Sequence, residues 1–67
     1  MTFFEFTLLP EDQQYQLIFR EGYFIASRKL GTNEFVVYKC YGFFVEIEYD
    51  SGQNKIVNKV VYRNAHN

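Results

Sequence analysis

The chain has 67 residues, 48% of them hydrophobic and 22% charged, with a net charge of −1. That leaves room for one thin core, argues against a disordered polymer, and removes the basic footprint of a protein that grips a phosphate backbone. One cysteine and one histidine can form neither an internal disulfide nor a Cys/His zinc site.

The expected stabilising mass is aromatic. Eight Phe and six Tyr make up 21% of the chain, and each buried ring removes about 150–250 Å² from water. Without disulfide or metal, the remaining stabilising device for so small a domain is association with another chain.

The first element is ambiguous. Thr2 and Glu5 have the spacing of a capping box, which predicts a short helix, while Phe4-Glu5-Phe6-Thr7-Leu8 also alternates as a strand would. Pro10 then suits a helix start, and Glu11 and Asp12 match its positive end. Tyr15, Ile18 and Phe19 form a stripe, Arg20 lies in the last turn and Gly22 suits a cap. The pattern predicts a helix over 10–21, with Gln13, Gln14 and Gln16 on its wet face.

Beyond it, Gly22, Gly31, Gly42 and Gly52 punctuate segments rich in Tyr, Phe, Val and Ile. Their spacing predicts strands over 23–30, 35–40, 43–49 and 55–62, joined as an antiparallel meander because the connections are too short for crossovers. Apolar side chains switch from even to odd numbering across Tyr41-Gly42. A two-residue hairpin there pairs Cys40 with Phe43, Tyr38 with Val45 and Val36 with Ile47; a bulge at Gly42 in one long bent strand gives the same switch. The tight hairpin is favoured, with positive φ expected at its glycine. A four-residue loop over 51–54 pairs Tyr49 with Ile56, Val45 with Val60, Phe43 with Tyr62 and Glu46 with Lys59; it also sets Ile47 opposite Asn58, which leaves a slipped register open. A turn over 31–34 joins the first two strands in a register that the apolar run Tyr23-Phe24-Ile25-Ala26 does not reveal. The expected architecture is α+β: one N-terminal helix, or two short ones, packed on an antiparallel meander of about four strands. It forms a single domain over 1–67, with 63–67 as a frayed tail.

The strings Glu21-Gly22-Tyr23-Phe24-Ile25-Ala26-Ser27-Arg28, Val37-Tyr38-Lys39 and Phe43-Phe44-Val45-Glu46-Ile47-Glu48-Tyr49 resemble a group of small uncharacterised bacterial proteins common in Bacteroidota. The likeness runs from Leu9 to Tyr62, with Phe44 departing from the tyrosine that the group's pattern carries. It implies a bacterial, self-contained α+β unit and brings no activity with it.

Candidate chemistry is sparse. Cys40 and His66 are the sole thiol and imidazole; a nucleophilic cysteine needs a nearby base and an electropositive setting. An apolar strand end and a tail residue supply neither, so they read as a packed thiol and a solvated imidazole. Glu46 and Glu48, with Asp50 beyond, could work as an acid–base pair only in a cleft. They read better as a solvated face matched to Lys39, Lys55 and Lys59. Catalytic, metal and cofactor-binding residues are therefore assigned to no position.

The helix stripe is expected to cover the face of Val36, Tyr38, Val45, Ile47, Val60 and Tyr62. The opposite face would hold Val37, Phe44, Val57 and Val61 among Glu46, Glu48, Lys39 and Lys59, unless residues 2–9 fold over it. Apolar side chains among charged ones suggest a contact surface. The expectation is a non-enzymatic interaction module whose surface is Val37, Phe44, Val57, Val61, Glu46 and Lys59. Its partner would be a second copy or another protein. A nucleic-acid-associated regulator is the alternative, since exposed rings on a sheet can stack bases. Neither a secretory signal nor a membrane span is expected, and a cytoplasmic location follows from that reading and the unpaired thiol.

Overall fold

The computed structural model describes residues 1–63; the expected frayed tail beyond Arg63, with His66, lies outside the described residues. Two helices, α1 (Phe3–Thr7) and α2 (Glu11–Glu21), precede four strands, β1 (Tyr23–Leu30), β2 (Asn33–Cys40), β3 (Phe43–Asp50) and β4 (Lys55–Tyr62). The strands form one antiparallel sheet in the order β1-β2-β3-β4. The α+β meander is as the sequence predicts.

The capping box decides the first element. The Thr2 hydroxyl accepts from the Glu5 amide at 3.0 Å, and the Thr2 amide donates to the Glu5 carboxylate at 2.8 Å. Together they satisfy two of the backbone donors that a helix start leaves open, so residues 3–7 wind rather than extend. Phe6 is thereby turned inward and fully buried. Its ring lies 4.9 Å from that of Phe43, which also meets the Phe3 ring edge-on at 6.0 Å.

Both helices pack on the same face of the sheet. The core consists of Phe6, Leu17, Ile18, Cys40, Phe43, Val45 and Ile47, with Phe3, Leu9, Tyr15, Tyr38, Ile56 and Val61 against it. The buried stripe of α2 is Gln14, Leu17 and Ile18, one step round from the expected Tyr15, Ile18 and Phe19. Phe19 instead leans over β2, edge-on to Tyr38 at 5.8 Å, and stays 55% exposed. Gln14 is inside because it has work there. Its Nε2 donates to the carbonyls of Phe6 (3.0 Å) and Leu9 (3.1 Å), and its Oε1 accepts from the Lys59 ammonium. One amide ties α1, the linker and β4 together.

The β2–β3 hairpin has the predicted register, with Cys40 opposite Phe43, Tyr38 opposite Val45 and Val36 opposite Ile47. Its positive φ falls on Tyr41 (53°) rather than on Gly42. The first turn is tighter than expected: Leu30 pairs with Asn33 across Gly31-Thr32, and Gly31 has φ 64°. A bulge between Phe24 and Ala26 interrupts β1.

The last hairpin corrects the reading of β4. Tyr49 does face Ile56, but a bulge at Val57 moves every later pair by one residue. Ile47 faces Lys59, Glu46 faces Val60, Val45 faces Val61 and Phe44 faces Tyr62. Since side chains alternate between faces, the shift exchanges the two sides of β4. Lys59 and Val61, expected on the open face, lie under the helices; Val60 and Tyr62, expected under the helices, lie on the open face. The reason is the inserted residue, which resets the strand's alternation.

Candidate functional site

Because α1 and α2 share one side, the other side of the sheet has no layer over it among the described residues. The Cα trace is a slab of 34 × 28 × 16 Å, thick enough for one sheet and one helix layer. The register places four rows of side chains on the uncovered face. Tyr23, Lys39, Phe44 and Tyr62 form the first, and Ala26, Val37, Glu46 and Val60 the second. Arg28, Phe35, Glu48 and Asn58 follow, and then Leu30, Asn33, Asp50 and Lys55.

Within the middle rows is an open hollow of about 450 Å³, bounded by Ala26, Arg28, Val37, Phe44, Glu46 and Val60. Phe44 stacks on Tyr62 with ring centroids 5.5 Å apart and planes 16° from parallel. The Lys39 ammonium stands 6.0 Å from the Phe44 ring, and the Arg28 guanidinium 4.4 Å from the Phe35 ring. Arg28 also approaches the Glu46 carboxylate at 3.9 Å, while Glu48 accepts from the Asn33 amide at 2.6 Å. The floor is apolar and aromatic, and its charges are held over it by one another and by the rings.

Of the six residues expected to form the surface, Val37, Phe44 and Glu46 come together here. Lys59 and Val61 do not, for the reason given above. Lys59 has a side chain only 12% exposed, 3.8 Å from Glu11 and 4.8 Å from the Tyr15 ring; it joins the sheet to α2. Val57 is exposed at the bulge, outside the four rows. Ala26, Arg28, Phe35, Val60 and Tyr62 complete the face. Phe35 shares odd parity with Val37 and Lys39, so the alternation of β2 could have found it; β1 and β4 hide theirs behind bulges.

Elsewhere the chemistry is muted. Cys40 is fully buried, and burial, with the Glu21 charge as the smaller cause, pushes its thiol up, which suppresses the reactive thiolate. Among the described residues no group of three or more His, Cys, Asp or Glu could hold a metal ion, and no helix is long and apolar enough to cross a membrane. A smaller hollow of about 240 Å³ lies beside α2, over Phe19, Val36, Tyr38, Ile47 and Tyr49. No protein-family model matches this chain, and no curated protein or solved structure is significantly similar to it.

Proposed function

We propose that this protein is a non-enzymatic interaction module that works through the open face of its sheet, binding protein. The observation that carries the reading is the composition of that face: a Val37–Phe44–Val60 floor crossed by Glu46, which Arg28 approaches, with Arg28, Lys39 and Glu48 around it. Contact surfaces have this anatomy, an aromatic and aliphatic centre inside a charged rim. An exposed apolar patch of this kind is the usual mark of a partner. The setting we assign is the cytoplasm of a bacterium, in keeping with the sequence resemblance and the unpaired thiol.

The ring geometry favours protein over nucleic acid. Base-stacking sheets offer free ring faces beside a basic groove. Here one face of Phe44 is taken by Tyr62 and Phe35 lies under Arg28, while Glu46, Glu48 and Asp50 run down β3.

Carboxylate footprinting tests the reading. Glu48 and Asp50 should be labelled less in cell extract, or in purified protein at millimolar concentration, than in dilute purified protein, while the exposed helix carboxylates Glu11 and Asp12 are labelled equally throughout. Equal labelling of all four overturns it. Recovery of Glu48 labelling after nuclease treatment would move the assignment to nucleic acid.

A further inference from the structure

The open face has a charge layout that names its own complement. Its acids, Glu46, Glu48 and Asp50, all stand on β3, whereas its bases are Arg28 on β1, Lys39 on β2 and Lys55 at the far end of β4. Resting on the reading of this face as the working surface, we infer that its partner is a second copy of this chain. The two sheets dock face to face about a two-fold axis that runs along the strands between β2 and β3. That rotation lays β3 of each copy over β2 of the other, with β1 over β4. The acidic column then lies over β2, which carries Lys39 and has Arg28 on the adjoining β1, and each contact is made twice, as an isologous interface requires. Phe44 of one copy comes opposite Lys39 of the other, and Ala26 opposite Val60.

The competing arrangements are disfavoured by the same layout. A two-fold axis across the strands superposes β3 on β3 and sets Glu46 against Glu48 of the other copy, a like-charge contact that costs energy. Edge-to-edge pairing meets the devices that keep strand edges apart. The β1 edge has a bulge and Arg28-Lys29; the β4 edge has a bulge at Val57 with Lys55 and Lys59 beside it. The face has no such guard.

The available area sets the strength. Four strands of eight residues cover about 500 Å² at ordinary strand spacing and rise. Two such faces bury on the order of 1,000 Å², the threshold of a specific contact. Sheets that pack this way lie about 10 Å apart with strands near −30°. A contact at that threshold makes a reversible dimer, whose strength is set by the anchor residues rather than by area.

Sedimentation equilibrium of the whole chain from low micromolar to millimolar concentration tests this. Wild type should move from one chain mass to two and no further. Phe44→Asp should raise the dissociation constant by about tenfold or more with its far-UV circular dichroism unchanged. Val60→Lys, at an exposed position on the edge strand, should do the same, and decides the matter where Phe44→Asp does not fold. Wild type that stays monomeric at millimolar concentration overturns the second-copy partner, while the footprinting result for the face stands independently. A dimer that both variants leave intact places the contact elsewhere and overturns the geometry.

Discussion

Gln14 shows how one polar side chain can organise a thin core. It is 8% exposed and meets two backbone carbonyls and an ammonium group, so its burial is compensated. Gln14→Leu keeps the volume but strips the Leu9 carbonyl of this donor and Lys59 of its acceptor. The expected cost is about 2 kcal/mol, seen as a drop of roughly 8–16 °C in Tm for a domain this size. Loss of under 2 °C would show that water replaces the amide. Gly22 is equally constrained, by space. A Cβ there would meet the Ile18 carbonyl oxygen at 2.5 Å and the Cys40 Sγ at 3.0 Å. Gly22→Ala should therefore destabilise by about 1–3 kcal/mol in chemical denaturation. Tyr41 and Glu21 form a surface pair with a defined pH window. The Tyr41 hydroxyl donates to Glu21 at 2.6 Å, which holds the Glu21 carboxyl below the usual range and the Tyr41 phenol above its own. A lowered carboxyl contributes stability above its unfolded pKa and loses it as pH falls through the folded value. A raised phenol contributes below its unfolded pKa and loses it as pH rises through the folded value. The stability gap between wild type and Tyr41→Phe should thus be constant near neutrality and narrow at both extremes. A gap that is flat into acid would remove Glu21 from the pair.

At the scale of elements, the turns and bulges decide which faces the strands present. The β2–β3 turn places Tyr41 at φ 53° and leaves Gly42 outside the left-handed region, with nothing within 4 Å of a Cβ added there. Gly42→Ala should change stability by under about 0.5 kcal/mol. Gly31, at φ 64°, belongs to the conformation that a Cβ disfavours by about 1–2 kcal/mol, so Gly31→Ala should cost about that much although space is open around it. Equal melting temperatures for the two variants would contradict this assignment of the strained position. The hairpin register itself was legible at 36–47, where apolar parity reverses across two residues and leaves one pairing that keeps a single apolar face. The register of β4 was not. The mismatch of Ile47 with Asn58 pointed to a slip, but Val57 is one valine among Ile56, Val60 and Val61, and no local feature says which of them the pairing skips.

For the whole molecule, the layering implies a gradient of stability across the sheet. β3 alternates buried and half-buried residues along most of its length, whereas every residue of β1 is exposed. The helices cover the middle and far strands, and Tyr23 at the outer edge is 75% exposed. Amide exchange should therefore be slowest in β3 and the adjoining half of β2, and fastest in β1, because local opening follows buried contact. Uniform protection across all four strands at low concentration would mean that β1 is covered by contacts outside the helix layer.

The sequence by itself determined the elements from Pro10 onward and left the segment before them open between helix and strand. Helix capping at Thr2 and Pro10, the turn residues and the two-fold alternation of β3 are local signals, set by backbone preferences within a few residues. Three things were decided only in the assembled fold: the turn of α2 that hides Gln14, the skip at Val57, and the pairing of both helices with one face. Each depends on partners far apart in sequence, such as Gln14 with Lys59 and Phe6 with Phe43. The choice among nearly equal local alternatives is made by the packing that satisfies the most buried groups at once. The candidate face was legible only as far as the strands without a bulge. Val37, Phe44 and Glu46 were found on β2 and β3, while Arg28 and Val60 had to wait for the three-dimensional register, since a single inserted residue reverses the side of everything that follows it.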